Sequence, residues 1–236
     1  SPLDITALVL EGQLEVRLTV GRHGLPAGWA RDLARDFLAR LGGIVAHCRG
    51  LAELRRTGLD FPEADLPDEE IDRLLAGCRT PPETICRLTP LQEGLLFHAL
   101  HSPDSDQYVV QATWRCAAPL EPSRLRQAWL GLVQAHDVLR TRFAWHGLAH
   151  PVQLVEAAAE PGWRVLDLAD RDGADRDEAA QAQALAAEQV RDRAAGLDLA
   201  QPCAMRVTLV RLAPASWAMV WTYHHILLDG WCVPLL

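Results

Sequence analysis

An α/β fold in which a sheet packs against helices is predicted for most of this chain by three patterns. Trp217, Met219, Trp221 and Tyr223 alternate with Ala218, Val220 and Thr222, the period-two pattern of a strand whose large side chains share one face. Residues 122–133 set Leu125, Trp129, Leu132 and Val133 on one side of a helix. Between and around them strand-like and helix-like segments alternate, and such an order buries a sheet under helices.

Ile5, Leu8 and Leu10 lead into Glu11-Gly12, a turn signal, after which Leu14, Val16, Leu18 and Val20 alternate with polar residues, predicting a hairpin whose second strand is half exposed. Trp29, Leu33, Phe37, Leu41 and Ile44 then recur at helical spacing, with Arg31, Asp32, Arg35, Asp36 and Arg40 on the other face. One hairpin and one helix make a poor independent core. Over residues 49–84, Gly58, Pro62, Pro67, Pro81 and Pro82 punctuate a charged stretch in which Ile71, Leu74 and Leu75 suggest one short helix, so this segment reads as a linker. Its acidic run, Asp68 to Asp72, reads as a solvated helix start.

Beyond it, residues 91–100 read as a helix with Leu91, Leu95, Leu96 and Ala99 mostly core, 108–114 as a strand, 140–145 and 151–155 as short strands, and the Ala-rich run 174–195 as a long surface helix. Arg140, after an apolar helix, reads as an anchor for the helix end. Strands over 203–210 and 217–223 complete the sequence of elements.

With 236 residues, 49% of them hydrophobic, the chain is large enough for one or two domains with a sizeable core. The net charge of −8 and the lack of a Lys/Arg run argue against nucleic acid as partner. No stretch of about 18 apolar residues is present to span a membrane. Six cysteines, Cys48, Cys78, Cys86, Cys116, Cys203 and Cys232, form no CxxC pair and no cluster with His of metal-ligand spacing, and read as reduced thiols in a cytoplasmic protein without a metal. The opening Ser1-Pro2-Leu3-Asp4 carries no signal-like region, and the chain reads as a piece of something larger.

The strand over 217–223 runs into His224-His225-Ile226-Leu227-Leu228-Asp229-Gly230, the HHxxxDG pattern. A strand end opening into a glycine-containing turn suits an acid/base or substrate-orienting imidazole, because the strand fixes the backbone while the turn opens toward substrate. Upstream lie Arg87-Leu88-Thr89-Pro90-Leu91-Gln92-Glu93-Gly94-Leu95-Leu96-Phe97-His98 and Ala135-His136-Asp137-Val138-Leu139-Arg140-Thr141-Arg142-Phe143.

On these three motifs, in this order, residues 85–236 resemble the condensation domains of nonribosomal peptide synthetases. One departure is Ala135, where the family's second motif begins with Arg. The resemblance implies the N-terminal, chloramphenicol-acetyltransferase-like lobe of a two-lobed domain whose second half would follow Leu236, so residues 1–236 alone are expected to be inactive. Residues 1–48, closing on Ile44-Val45-Ala46-His47-Cys48, resemble the C-terminal tail of an epimerization domain, and residues 49–84, with Asp60-Phe61-Pro62, the linker that joins such a domain to the next condensation domain.

The chemistry implied is attack of a carrier-bound acceptor amine on a carrier-bound donor thioester. By resemblance His225 orients the amine, either as a base that takes its proton or as a positioner alone, His224 packs behind it, Asp229 is a structural anion paired with an arginine, and Gly230 lets backbone approach the substrate. Gln92, His98 and Trp231 are the expected substrate-facing residues, and Cys232, at a position that usually holds Ser, is not a nucleophile. No cofactor is expected to bind directly, since the substrates ride on 4′-phosphopantetheine arms. The implied partners are upstream and downstream peptidyl carrier domains and neighbouring epimerization and adenylation domains.

The segments Gln92 to His98 and Leu227 to Trp231 resemble condensation domains that join a D-configured donor to an L-acceptor, in agreement with an upstream epimerization tail. Trp231-Cys232-Val233 in place of a Ser-Trp-Arg run speaks against an epimerization domain, and the intact histidines against heterocyclization. A non-catalytic carrier-docking or gatekeeping domain of the same fold, or an epimerization domain, stands as the alternative.

Overall fold

The computed structural model describes residues 3–21, 28–50, 56–103, 105–169 and 177–236. The chain divides into two compact units, residues 1–55 and 56–236.

The first unit is the predicted hairpin and helix. Strands β1 (Leu3–Leu10) and β2 (Gln13–Val20) pair antiparallel around Glu11-Gly12, both at positive φ, the conformation of a two-residue hairpin turn. Val16, Leu18 and Val20 are half-buried while the polar residues between them are exposed. Helix α1 (Trp29–Gly50) buries no residue fully and leaves Leu38 and Ile44 exposed. No core forms among the described residues of this unit, as expected of one hairpin and one helix.

In the second unit, the segment expected to be a linker is folded from Arg56 onward. Phe61, Ala64 and Ile71 are buried with Ile85, Val152 and Leu154 in one apolar cluster. The Arg56 guanidinium donates to the Pro82 and Glu83 carbonyls at 2.8 and 2.9 Å and lies over the Phe61 ring. The Pro and Gly residues of this stretch make its turns rather than loosening it, which composition alone does not reveal. Helix α2 (Asp68–Ala76) starts on its acidic run, where the helix dipole favours carboxylates, and buries Ile71.

Strand β3 (Thr84–Arg87), absent from the sequence reading, pairs with β6 (Val152–Val155), which also pairs with β5 (Thr141–Ala144), giving a three-stranded sheet of order β3-β6-β5. Helix α3 (Pro90–His101) and helix α4 (Pro122–Ala135) match their predicted positions, although Leu91, expected in the core, is exposed. The main sheet has the order β4-β9-β8-β7, from β4 (Val109–Cys116), β7 (Gly162–Asp167), β8 (Met205–Ala213) and β9 (Ser216–His224). Its edge β7, also unpredicted, runs parallel to β8, and helix α5 (Glu178–Ala194) makes the crossover between them. The first residues of the expected helix over 174–195 lie outside the described residues.

Two faces of the main sheet are covered. Trp217, Trp221 and Tyr223 of β9 pack with Leu95, Leu96, Trp129 and Val133 of α3 and α4. Ala218 and Val220 pack with Val210, Leu212 and Leu185 under α5. The period-two pattern of β9 therefore separates two buried faces, not a buried and a wet one.

Helix α5 is accordingly more than a surface helix. Its Glu188 and Asp192, one turn apart, are 2% and 0% exposed. Asp192 Oδ1 accepts from Arg206 Nε at 2.6 Å and from Thr208 Oγ1 at 3.2 Å, while Oδ2 accepts from the Thr222 hydroxyl and from Gln111 Nε2 at 3.4 Å. Arg164 on β7 reaches Glu188 at 3.1 Å. The helix is thus pinned to the sheet strands by charge as well as by Leu185. Arg140 is also buried, donating to Glu83 at 2.9 Å, Asp137 at 2.5 Å and the Glu156 carbonyl, so it anchors the turn between α4 and β5 as its position suggested.

Candidate functional site

Strand β9 ends at His224, and hydrogen bonding to neighbouring backbone carries its alignment past that end: the His225 N–H donates to the Tyr108 carbonyl at 2.8 Å, and the His224 N–H to the Ala204 carbonyl at 3.1 Å. The two histidines are therefore held by backbone from both sides. Alternation along β9 puts the His224 side chain on the α5 face, with Thr222 two residues earlier.

His224 is 6% exposed. Its Nδ1 accepts the Ile226 N–H at 3.1 Å, so the neutral ring carries its proton on Nε2. Burial, with a smaller contribution from His225, pushes its pKa down to about 4. It lines a pocket of about 90 Å³ with His98, Tyr108, Ser102, Gln107 and Leu199. The Tyr108 ring stands between the two imidazoles, 5.5 Å from His98 and 6.4 Å from His224, centroid to centroid. No local signal gives Tyr108 a role in the site; its place immediately before a strand that pairs with the histidine strand is a long-range fact that one sequence window does not carry.

A folded pKa below the ordinary histidine value means that the native state binds fewer protons than the unfolded chain. The stability from a neutral His224 is therefore complete above about pH 6.5 and is lost as pH falls toward 4, by about 2–3 kcal/mol. We expect the difference in unfolding free energy between the protein and its His224→Gln variant, followed by denaturant titration, to shrink by this amount from pH 7 to pH 4. A pH-independent difference counts against a neutral buried imidazole.

His225 is half-buried, and its Nδ1 is buried without a hydrogen-bond partner among the described residues. Its orientation rests on backbone and packing, with no carboxylate behind it at that nitrogen.

Asp229 departs from expectation: no arginine pairs with it among the described residues. Its Oδ1 accepts the N–H groups of Trp231 at 2.9 Å and Cys232 at 3.0 Å. The donors closest to a turn aspartate are the N–H groups that follow it, and they suffice to shape the turn. Hydrogen bonds from the Cys232 thiol, then from the Cys232 and Trp231 N–H groups, hold its carboxyl below the ordinary carboxylate range. Gly230 is exposed, has no positive φ, and a Cβ there would meet nothing within 4 Å, so this unit itself does not require glycine. Trp231 is 87% exposed and touches the turn through its N–H.

Of the residues expected to face substrate, the structure brings only His98 to the histidine pocket. Gln92 is turned instead into a polar network. Its Oε1 accepts the Thr89 N–H at 2.9 Å and its own N–H donates to Thr89 Oγ1 at 3.3 Å, a capping box at the start of α3. Its Nε2 donates to Gln153 Oε1 and to the Ile226 carbonyl.

The site is thus a pair of histidines at the end of an interior strand of a mixed α/β fold. The sequence model of the condensation-domain family matches residues 82–236, and the chain belongs to that family. It is 37% identical over 239 residues to a linear gramicidin synthase of Brevibacillus parabrevis, and 27% identical over 236 residues to bacitracin synthase 3 of Bacillus licheniformis. Each match takes in 99% of this chain but only 4% of the relative, so the chain spans a small part of those synthases. Among solved structures, the starter condensation domain of rhizomide synthetase superimposes with a TM-score of 0.56 at 24% identity, covering 64% of this chain and 36% of that one, a likeness of fold. No described helix is long and apolar enough to cross a membrane.

Proposed function

We propose that this chain is part of a nonribosomal peptide synthetase and supplies the histidine-bearing lobe of a condensation domain. That domain joins a donor acyl thioester to an acceptor aminoacyl amine, both carried on phosphopantetheine arms of carrier domains. The observation that carries the reading is the placement of His225. It is fixed through its N–H to Tyr108 at the end of the central strand, beside a second imidazole that burial keeps neutral, in a chain of the condensation-domain family.

In this reaction the acceptor nitrogen forms a bond to the donor carbonyl carbon, the carbon–sulfur bond breaks, and the amine's proton is transferred so that the donor arm leaves as a free thiol. The thioester is already activated, so the protein must align the amine, manage its proton and stabilise the developing oxyanion. His225 orients the amine and takes the proton in this reading, with His224 as its packed neighbour. Asp229 shapes the turn that presents both, Gly230 leaves the turn open, and His98 and Trp231 border the substrates.

Residues 1–48 are the tail of an upstream epimerization-like domain, and the lobe takes in residues 56–236, since Phe61, Ala64 and Ile71 pack with Ile85, Val152 and Leu154. The donor is D-configured, as the Gln92 to His98 and Leu227 to Trp231 segments suggest. The partners are the flanking carrier domains together with epimerization and adenylation domains, all in the cytoplasm.

The experiment uses the full native polypeptide with donor and acceptor carriers loaded separately, following the acceptor thioester by intact mass. Transfer of the D-donor, with the L-epimer at least about tenfold slower, is the expected result. Transfer of the L-epimer alone removes the D-donor assignment. Carrier binding without transfer of either epimer replaces the enzyme with the gatekeeping alternative.

A further inference from the structure

We propose that Gln92, paired with Gln153, is a positioning residue: their side-chain amides form a strut that holds the Ile226 carbonyl and with it the backbone that presents His225. The inference rests on the reading that His225 is the working group.

The two amides meet head to tail. Gln92 Nε2 donates to Gln153 Oε1 at 3.3 Å, and Gln153 Nε2 donates to Gln92 Oε1 at 3.4 Å. The remaining capacity is also committed. Gln92 Oε1 takes the Thr89 N–H at 2.9 Å, Gln92 Nε2 gives to the Ile226 carbonyl at 3.4 Å, and Gln153 Nε2 gives to the Arg87 carbonyl at 3.0 Å. A primary amide has two N–H donors and two acceptor lone pairs. All four on Gln92 are used, which leaves it nothing to offer a substrate.

The strut joins the start of α3, strand β6 of the small sheet, and the loop after β9, across 61 and 134 residues of sequence. Ile226 is 2% exposed, and a carbonyl buried with it requires a donor. The loop is thus tied at three consecutive points: the His225 N–H to Tyr108, the Ile226 N–H to His224, and the Ile226 carbonyl to Gln92. Those ties bracket the Cα of His225. A ring without an orienting partner on Nδ1 depends on its backbone for aim, so a loosened backbone costs alignment before it costs binding.

The test is Gln92→Glu in the full native polypeptide. Glutamate keeps an oxygen for the Thr89 N–H, so the capping box survives, but it removes the donor to Ile226. The expected result is a kcat for amide formation about tenfold lower, the size of one lost hydrogen bond, with KM for both carrier-bound substrates unchanged. Backbone hydrogen exchange is expected to quicken at residues 225–227 and not elsewhere. Gln153→Ala is expected to act in the same direction, and the double variant to be no worse than Gln92→Glu alone, because the two act as one unit. Wild-type kcat together with wild-type exchange overturns the strut. So does a raised KM at unchanged kcat, which makes Gln92 a substrate contact. Exchange does not depend on turnover: if the unaltered protein forms no amide, the condensation reading fails while quickened exchange in the variant still supports the strut.

Discussion

Replacing Asp192 with Ala is expected to lower the unfolding free energy of the protein by about 3–5 kcal/mol, the size that follows when one partner of a buried charge pair is removed. The carboxylate is wholly buried and receives Arg206 Nε at 2.6 Å, two threonine hydroxyls and the Gln111 amide, and Arg164 Nη1 lies 3.7 Å away. Taking it away leaves the mostly buried Arg206 guanidinium without its carboxylate, on the Asp192 and Gly196 carbonyls, and the Thr208 and Thr222 hydroxyls without their acceptor. Burial alone raises the Asp192 pKa, but the bonds from Arg206, Thr222 and Thr208 outweigh it and set the pKa below the ordinary carboxylate value. With a lowered folded pKa, the stabilisation is present at neutral pH and is lost as pH falls through that folded value in the acid range. Thermal unfolding at pH 7 should show a melting temperature lower by about 10 °C. A change of less than about 2 °C shows that the network does not hold α5 to the sheet. Because Thr222 lies two residues before His224, the same variant is expected to quicken hydrogen exchange along β9.

His225→Ala is expected to lower the rate of amide formation by at least about a hundredfold, the lower end of what a positioned proton-transfer group contributes. The histidine stands at a half-buried position with no side-chain hydrogen bond at Nδ1, so its removal should leave the melting temperature nearly unchanged. On the proposed function the loss belongs in kcat, because alignment of the amine is a property of the reacting complex. Single-turnover transfer between loaded carriers measures it directly. A rate within about threefold of the unaltered protein removes His225 from the chemistry and leaves backbone and packing as its only role.

Much of the fold is legible in the sequence because the deciding information is local. The Glu11-Gly12 turn, the stripe on residues 122–133 and the strand ending at His224 each declare themselves within one window. Strands β3 and β7 do not, for they are short or edge strands whose residues carry no clean alternation and become strands only through β6 and β8. The stretch from residue 56 departs from a linker for the same reason: a Pro- and Gly-rich composition describes turns, and whether those turns are loose or packed depends on Phe61, Ala64 and Ile71 finding Ile85, Val152 and Leu154 far along the chain. An arginine beside Asp229 would likewise be a distant partner, whereas the N–H groups of Trp231 and Cys232 are always within its reach.

By itself the sequence determined the family, the order of elements and the histidine pair at the end of a strand, since motifs and periodicities are properties of neighbouring residues. Only the tertiary structure decided how that pair is held. The neutral tautomer of His224, the Tyr108 carbonyl on His225, the charged clamp under α5 and the turn of Gln92 away from the pocket toward Ile226 all depend on the folded surroundings, most of them on contacts between residues far apart in sequence. Such contacts are fixed by which buried polar groups must share partners once water is excluded, and that competition exists only in the folded chain.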